Sequence, residues 1–242
     1  MTALSVNLNK LALLRNSRGS NFPDLLGYAQ RFIELGVQGI TIHPRPDERH
    51  ITKRDAYELA DMLKNFPQVE FNIEGYPSAA FIQLVEDCQP TQCTLVPDAE
   101  DQLTSDHGWE FSQSMEMLKP LITRLKNTGI RVAAFLDPDV RQVELAAQSG
   151  TDRIEIYTEA YAKAFLAGKA SAVLDSYRKV AGRAQELGLG VNAGHDLNLQ
   201  NLPDFLSIPD ILEVSIGHAL IIECIDQGIE QVVTRYLAIC KT

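Results

Sequence analysis

Residues suited to proton transfer and anion binding fall at a few places in the 242-residue chain. The first is His43-Pro44-Arg45-Pro46-Asp47-Glu48-Arg49-His50. Two prolines remove backbone donors and keep the segment extended, so His43, Arg45 and His50 are displayed from a stiff loop. Histidine changes charge near neutral pH, and arginine offers a planar fork for phosphate oxygens. A solvated run of charge would have the same composition.

Two further motifs pair glycine with histidine: Val191-Asn192-Ala193-Gly194-His195-Asp196 and Val214-Ser215-Ile216-Gly217-His218-Ala219. Each follows an apolar run, with glycine where a chain can approach a ligand and histidine where a helix or loop begins. Helix N-termini after late strands are ready anion sites; a glycine that simply ends a strand is the alternative. Near the N-terminus, residues 13–19 carry Arg15 and Arg18 with no strong helix signal before Pro23, which suggests a loop holding a second anion. His107, in a polar stretch, is expected at the surface. The histidines and cysteines show no H-x-H, H-E-x-x-H or paired Cys/His spacing, so no metal is expected.

Eight short apolar or alternating runs must position these groups: Leu4–Leu8, Gly39–His43, Val69–Glu74, Cys93–Val96, Arg131–Leu136, Arg153–Tyr157, Leu189–Ala193 and Glu213–Ile216. Segments of helical periodicity separate them, as at Leu25, Leu26, Ala29, Phe32 and Ile33. Eight strand–helix units in this length predict an α/β fold, a single (β/α)8 TIM barrel with extra helical segments in its βα loops. An open doubly wound sheet is the rival, but no G-x-G-x-x-G follows a strand. The stretches 98–108 and 158–169 are the long βα excursions. The first is expected to close over the site, ahead of a helix starting near Phe111; the second precedes a helix over Ala172–Leu187.

Alternation along each strand sorts the side chains. Val6, Ile42, Ile73 and Ile156 share the parity that must face the helices, which turns Asn7, His43, Glu74 and Glu155 into the barrel. Charged groups there must pair or serve chemistry, because burying them is costly. The pairing alternative sets Glu70 or Glu155 against Arg153. Glu70 shares the parity of Glu74 but lies further from the end of its strand.

A net charge of −10, with no basic cluster longer than a pair, argues against duplex nucleic acid, whose binding rests on phosphate neutralisation. No apolar run approaches the roughly 18 residues of a membrane span. Cys88, Cys93, Cys224 and Cys240 lack the spacing of a disulfide framework, and MTALSVNLNK lacks the apolar core of a signal peptide, so a cytoplasmic protein with reduced thiols is expected. No linker divides residues 1–242, which read as one domain.

Taken in order, VNLNKLALLRNSRG, GITIHPRPDERHIT, FNIEGYP, TLVPD with Thr104 downstream, RIEIYTEAYA, VNAGHDL and VSIGHALI resemble the pyridoxine 5′-phosphate synthase family over nearly the whole chain. That resemblance implies a transferase of vitamin B6 biosynthesis. It condenses 1-deoxy-D-xylulose 5-phosphate with 3-amino-2-oxopropyl phosphate to pyridoxine 5′-phosphate, phosphate and water, without a cofactor, in a homo-oligomer, commonly an octamer. It implies catalytic roles for His43, Glu74 and, as proton donor, His195. Arg45, His50 and Thr104 would hold the deoxyxylulose phosphate; Asn7, Arg18, Asp196, Gly217 and His218 would hold the amino ketone phosphate. Asn9, Lys10 and Glu155 are further candidates. Many members have Asn-x-Asp-His where this chain has Asn7-Leu8-Asn9-Lys10, and glycine in place of Asp196. An aldolase or epimerase barrel acting on one sugar phosphate, and a sensor that binds a phosphometabolite without consuming it, are the competing functions.

Overall fold

The strands pair parallel and in chain order, and the last closes on the first, in a computed structural model that describes every residue except 99–101, 103 and 242. They are β1 (Ala3–Asn7), β2 (Gly39–Ile42), β3 (Glu70–Gly75), β4 (Gln92–Leu95), β5 (Arg131–Leu136), β6 (Arg153–Tyr157), β7 (Gly190–Gly194) and β8 (Ile211–Ile216). This is the expected (β/α)8 barrel. Strand ends differ from the sequence reading by one or two residues, most at β8, which begins at Ile211 rather than Glu213.

Eleven helices lie among the described residues: α1 (Asn9–Asn16), α2 (Leu25–Glu34), α3 (Lys53–Leu63), α4 (Ala79–Cys88), α5 (Phe111–Asn127), α6 (Val140–Ser149), α7 (Glu159–Leu166), α8 (Ala170–Glu186), α9 (Leu202–Phe205), α10 (His218–Gln227) and α11 (Ile229–Cys240). In α2 the buried positions Leu25, Ala29, Phe32 and Ile33 form one stripe, the spacing of a helix laid on a sheet. They meet the outward face of the barrel, where Leu4, Val6, Ile40, Ile42 and Ile73 are fully buried. Burying each such side chain stabilises the fold by about 1.5–3 kcal/mol before the entropy of ordering it is counted.

The extra helix α7 falls within the 158–169 excursion. Tyr161 on α7 donates its hydroxyl to the Asn201 carbonyl at 2.7 Å, and Tyr177 on α8 donates to the Tyr157 carbonyl at 3.0 Å. These bonds satisfy two buried phenols while fixing α7 beside the end of β6.

The N-terminal segment differs from expectation. Asn9-Lys10-Leu11-Ala12-Leu13-Leu14-Arg15 forms α1 rather than a loop. Lys, Leu, Ala and Arg are strong helix formers, and Leu11 and Ala12 give the short helix a buried face. Arg15 is thereby drawn away from the barrel mouth. It is buried against Asp55, with Nη2 at 2.7 Å from Oδ2, and so serves α3 instead of an anion. No helix among the described residues is long and apolar enough to cross a membrane.

Candidate active site

A cavity of about 530 Å³ opens at the carboxyl ends of the strands. Its lining includes Asn7, Asn9, Lys10, His43, Arg45, His50, Glu74, Thr104, Glu155, His195, Asp196, Gly217 and His218. The structure therefore brings together every expected site residue except Arg18. Arg18 lies on the exposed stretch just beyond α1 and does not line this cavity. His107 is exposed beside Asp106, as expected.

His43 stands immediately after β2, where the chain turns into the proline loop. Its backbone N–H donates to Asn9 Oδ1 at 2.9 Å; Asn9, one of the departures from the family pattern, thus anchors the start of this loop. The imidazole lies between two carboxyl groups, with Nδ1 4.0 Å from Glu74 Oε2 and Nε2 3.9 Å from Asp98 Oδ2. Burial, followed by the charge of Arg45, holds His43 well below the ordinary histidine range, so it is a neutral imidazole at pH 7. Burial pushes Glu74 well above the carboxylate range, and the neighbouring Glu155, Glu213 and Asp98 add to the effect. A neutral imidazole beside a protonated carboxylic acid can both accept and deliver a proton.

Arg45 is buried and donates to Asp98 through Nη2 and to the Gln102 carbonyl through Nη1 at 3.0 Å. Ser105 donates to the same Asp98 oxygen at 2.8 Å. These bonds fix the guanidinium against the cavity wall. Asp98 is a site residue that sequence reasoning missed; its signal was the end of TLVPD, two strands away from Arg45. His50 accepts the Ile51 N–H at Nδ1, 2.9 Å away, and burial with the nearby Arg45 and Lys10 lowers it to about 4. Residues 99–101 and 103 of the stretch expected to close over the site lie outside the described residues.

On the opposite wall, His195 packs edge-on against Tyr157, with ring centroids 5.0 Å apart, and beside Phe135 at 6.0 Å. Val96, Phe135 and Tyr157 form a buried apolar shelf of their own. Tyr157 shares the parity of Glu155, but nothing in that pattern marks it or Phe135 as the support of a histidine. Burial lowers His195, against the opposing pull of Asp196, Asp98 and Glu159. His195 and Asp196 both adopt positive φ, 86° and 56°, a backbone conformation that costs a side-chain-bearing residue energy. The turn is held by the Thr158 hydroxyl, which donates to the carbonyls of Gly194 and His195, and by Asn201 Nδ2, 3.0 Å from the Asp196 carbonyl.

Two glycines are explained by space. A Cβ on Gly194 would lie 2.2 Å from Glu155 Oε1, and one on Gly217 would come within 3.0 Å of Asn7 Cβ. Gly194 thus leaves room for the Glu155 carboxyl, and Gly217 lets the start of α10 approach β1. His218 is the first residue of α10, as read from the sequence, and it lines the cavity with Gly217 and Ala219; a helix start leaves N–H groups without intrahelical partners.

Deeper in the barrel the charges are paired. Glu70 bonds Arg131 through both oxygens, and Arg153 Nη1 lies 3.6 Å from Glu213 Oε2. The partner of Arg153 is therefore Glu213 on β8, not Glu70 or Glu155: Arg131 on β5 takes Glu70, and the space at Gly194 lets Glu155 turn toward the mouth. Among the described residues, no group of three or more potential ligands is arranged to hold a metal.

Comparison with known proteins matches residues 4–242 to the family described as pyridoxal phosphate biosynthesis protein PdxJ. The chain is 52% identical to a pyridoxine 5′-phosphate synthase of Flavobacterium johnsoniae over 98% of both chains. It is 49% identical to the enzyme of that name from Christiangramia forsetii over the full length of both. Among solved structures, N-(5′-phosphoribosyl)anthranilate isomerase from Pyrococcus furiosus superimposes with a TM-score of 0.62 at 12% identity, covering 100% of this chain and 99% of that one; this likeness is one of fold alone. With this match running the length of the barrel and its mouth motifs gathered in one cavity, the chain belongs to the PdxJ family of pyridoxal phosphate biosynthesis proteins.

Proposed function

We propose that the chain is a pyridoxine 5′-phosphate synthase. It condenses 1-deoxy-D-xylulose 5-phosphate with 3-amino-2-oxopropyl phosphate to pyridoxine 5′-phosphate, phosphate and water. The observation that carries this reading is the convergence of His43, Glu74 and His195, from three different strand ends, on one cavity that Lys10, Arg45, His50 and His218 also line. In this reading Arg45, His50, Lys10 and Thr104 hold the phosphate of the pentulose. Asn7, Asp196, Gly217 and His218 hold the amino ketone phosphate. A volume of about 530 Å³ is in the range of small-molecule sites.

The amine of one substrate attacks the ketone of the other, water is lost to give an imine or enamine, phosphate leaves, and ring closure with loss of water makes the aromatic product. Every step moves a proton, and each well-placed acid or base contributes about 10²–10⁴-fold. In this reading neutral His43 is the base at the pentulose, protonated Glu74 the acid beside it, and His195 the donor on the far wall. Glu155, whose carboxyl burial pushes up to about 8, is a second acid within the cavity. The apolar shelf under His195 keeps water from the enamine.

The same reading makes residues 1–242 one catalytic domain of a cytoplasmic transferase that assembles as a homo-oligomer, with an octamer expected. Arg18 is assigned to the amino ketone phosphate by family pattern alone. Phosphate release from purified protein tests the function. Release that requires both substrates supports it; conversion of the pentulose phosphate alone, with its phosphate ester intact, favours a one-substrate aldolase or epimerase, and binding without turnover favours a sensor.

A further inference from the structure

One carboxyl group gathers the wall of the cavity without forming part of it. Asp98 follows β4, its side chain is 2% exposed, and it does not line the cavity. Two groups bonded to it do. Arg45, from the loop after β2, donates Nη2 to Asp98 Oδ2, and Ser105, from the stretch after β4, donates its hydroxyl to the same oxygen at 2.8 Å. The Gln102 carbonyl takes Arg45 Nη1 at 3.0 Å, so the guanidinium is held at both terminal nitrogens. Those bonds use two of its five N–H donors and leave three for a ligand.

The other oxygen, Asp98 Oδ1, is buried and has no hydrogen-bond partner among the described residues. A buried acceptor left unmet costs stability. A carboxyl group placed here only to strengthen the fold would share its two donors between its two oxygens; this one concentrates both on Oδ2. What Oδ2 holds, rather than what Asp98 gains, accounts for the residue.

We propose that Asp98 is a positioning residue for phosphate binding: through Oδ2 it sets Arg45 and Ser105, from the ends of two different strands, in the arrangement that receives the phosphate of the pentulose. The proposal rests on the reading that Arg45 holds that phosphate. A carboxylate beside an arginine also weakens the field that draws an anion, so two effects of opposite sign compete. Were neutralisation the main one, removing Asp98 would tighten binding. Orientation prevails because the pair is dry, with side chains 5% and 2% exposed, and because a guanidinium recognises phosphate through a fixed fork of N–H groups rather than as a point charge. Without Asp98, both Arg45 and Ser105 would have to be immobilised when the ligand binds, and ordering two side chains weakens affinity by about tenfold.

Calorimetric titration with 1-deoxy-D-xylulose 5-phosphate alone tests this without turnover. Asp98→Ala should bind it about tenfold more weakly. Asp98→Asn, whose amide oxygen can accept the same two bonds, should recover most of the affinity, although both variants lose the charge. In steady-state kinetics of Asp98→Ala the KM for the pentulose phosphate should rise while that for 3-amino-2-oxopropyl phosphate stays near its unsubstituted value, a split that a general loosening of the barrel would not give. Unchanged or tighter binding in folded Asp98→Ala overturns the proposal, as does equal binding by Asp98→Ala and Asp98→Asn. A further readout needs no Asp98 variant to fold: nuclear magnetic resonance of the unliganded protein should show separate, slowly exchanging Nη protons for Arg45, assigned by their loss in Arg45→Lys. A freely rotating Arg45 guanidinium overturns the proposal. If binding depends on Asp98 as expected but both substrates together give no condensation, the reading of the function fails and the positioning by Asp98 stands.

Discussion

Glu70 and Glu74 lie on the same strand with the same parity, yet they occupy opposite kinds of environment. Glu70 is bonded by Arg131 through both oxygens at the floor of the barrel. Glu74, two repeats of the alternation nearer the mouth, accepts a 3.3 Å bond from Asn72 and faces His43 across 4.0 Å. A paired charge can hold strands together, whereas a buried carboxyl without a cation shifts its protonation instead. The floor is built for stability and the mouth for proton transfer.

The largest effects should come from the mouth. Glu74→Gln, His43→Ala and His195→Ala should each lower kcat by about 10²-fold or more while the circular dichroism spectrum and unfolding midpoint stay near those of the unsubstituted protein. Turnover within a few-fold in any of them removes that residue from the mechanism. The reciprocal change, Glu70→Gln, should leave kcat nearly intact and cost about 1–2 kcal/mol in urea unfolding. That figure sits below the range for a fully buried pair because the Glu70 side chain is 36% exposed. Equal losses of activity in Glu70→Gln and Glu74→Gln would erase the contrast.

A smaller change probes the boundary between the two regions. Gly194→Ala pushes a methyl group toward Glu155 Oε1 and should lower kcat by about tenfold, since small displacements of a catalytic group are costly. A crystal structure of this variant should show the Glu155 carboxyl displaced; unaltered kcat with a displaced carboxyl would mean Glu155 has no part in the reaction. The last effect is on stability rather than activity, through its pH dependence. The Glu155 carboxyl keeps its proton up to about 8 in the folded chain but only to about 4.5 when unfolded. The folded state therefore binds the extra proton between those values, and stability falls as pH rises through that window. Glu155→Gln should remove this contribution, so its melting temperature should gain on the unsubstituted protein as pH is raised from about 5 to about 8. A constant difference would show that Glu155 titrates normally.

Much of this division was legible in the sequence. Alternation in Glu70-Phe71-Asn72-Ile73-Glu74 placed both carboxyls inside, and the glycine–histidine endings of β7 and β8 marked the mouth. What alternation lacks is the partner: it cannot say that Arg153 reaches Glu213 on β8, because that choice depends on how eight strands close. The α1 segment was misread for a related reason. Arg15 looked like a free cation on a loop, but good helix formers and a buried stripe at Leu11 and Ala12 folded it into a helix. Asp98 escaped notice because its role with Arg45 spans two strand ends. The left-handed φ of Asp196 also lies outside any periodicity.

The most direct test of the central claim, that unpaired groups at the mouth join two phosphorylated substrates, is the stoichiometry of phosphate to aromatic product. With both substrates present, the account predicts one phosphate released for each pyridoxine 5′-phosphate formed, and neither product when one substrate is omitted. Phosphate released without ring formation, or from either substrate alone, would contradict it.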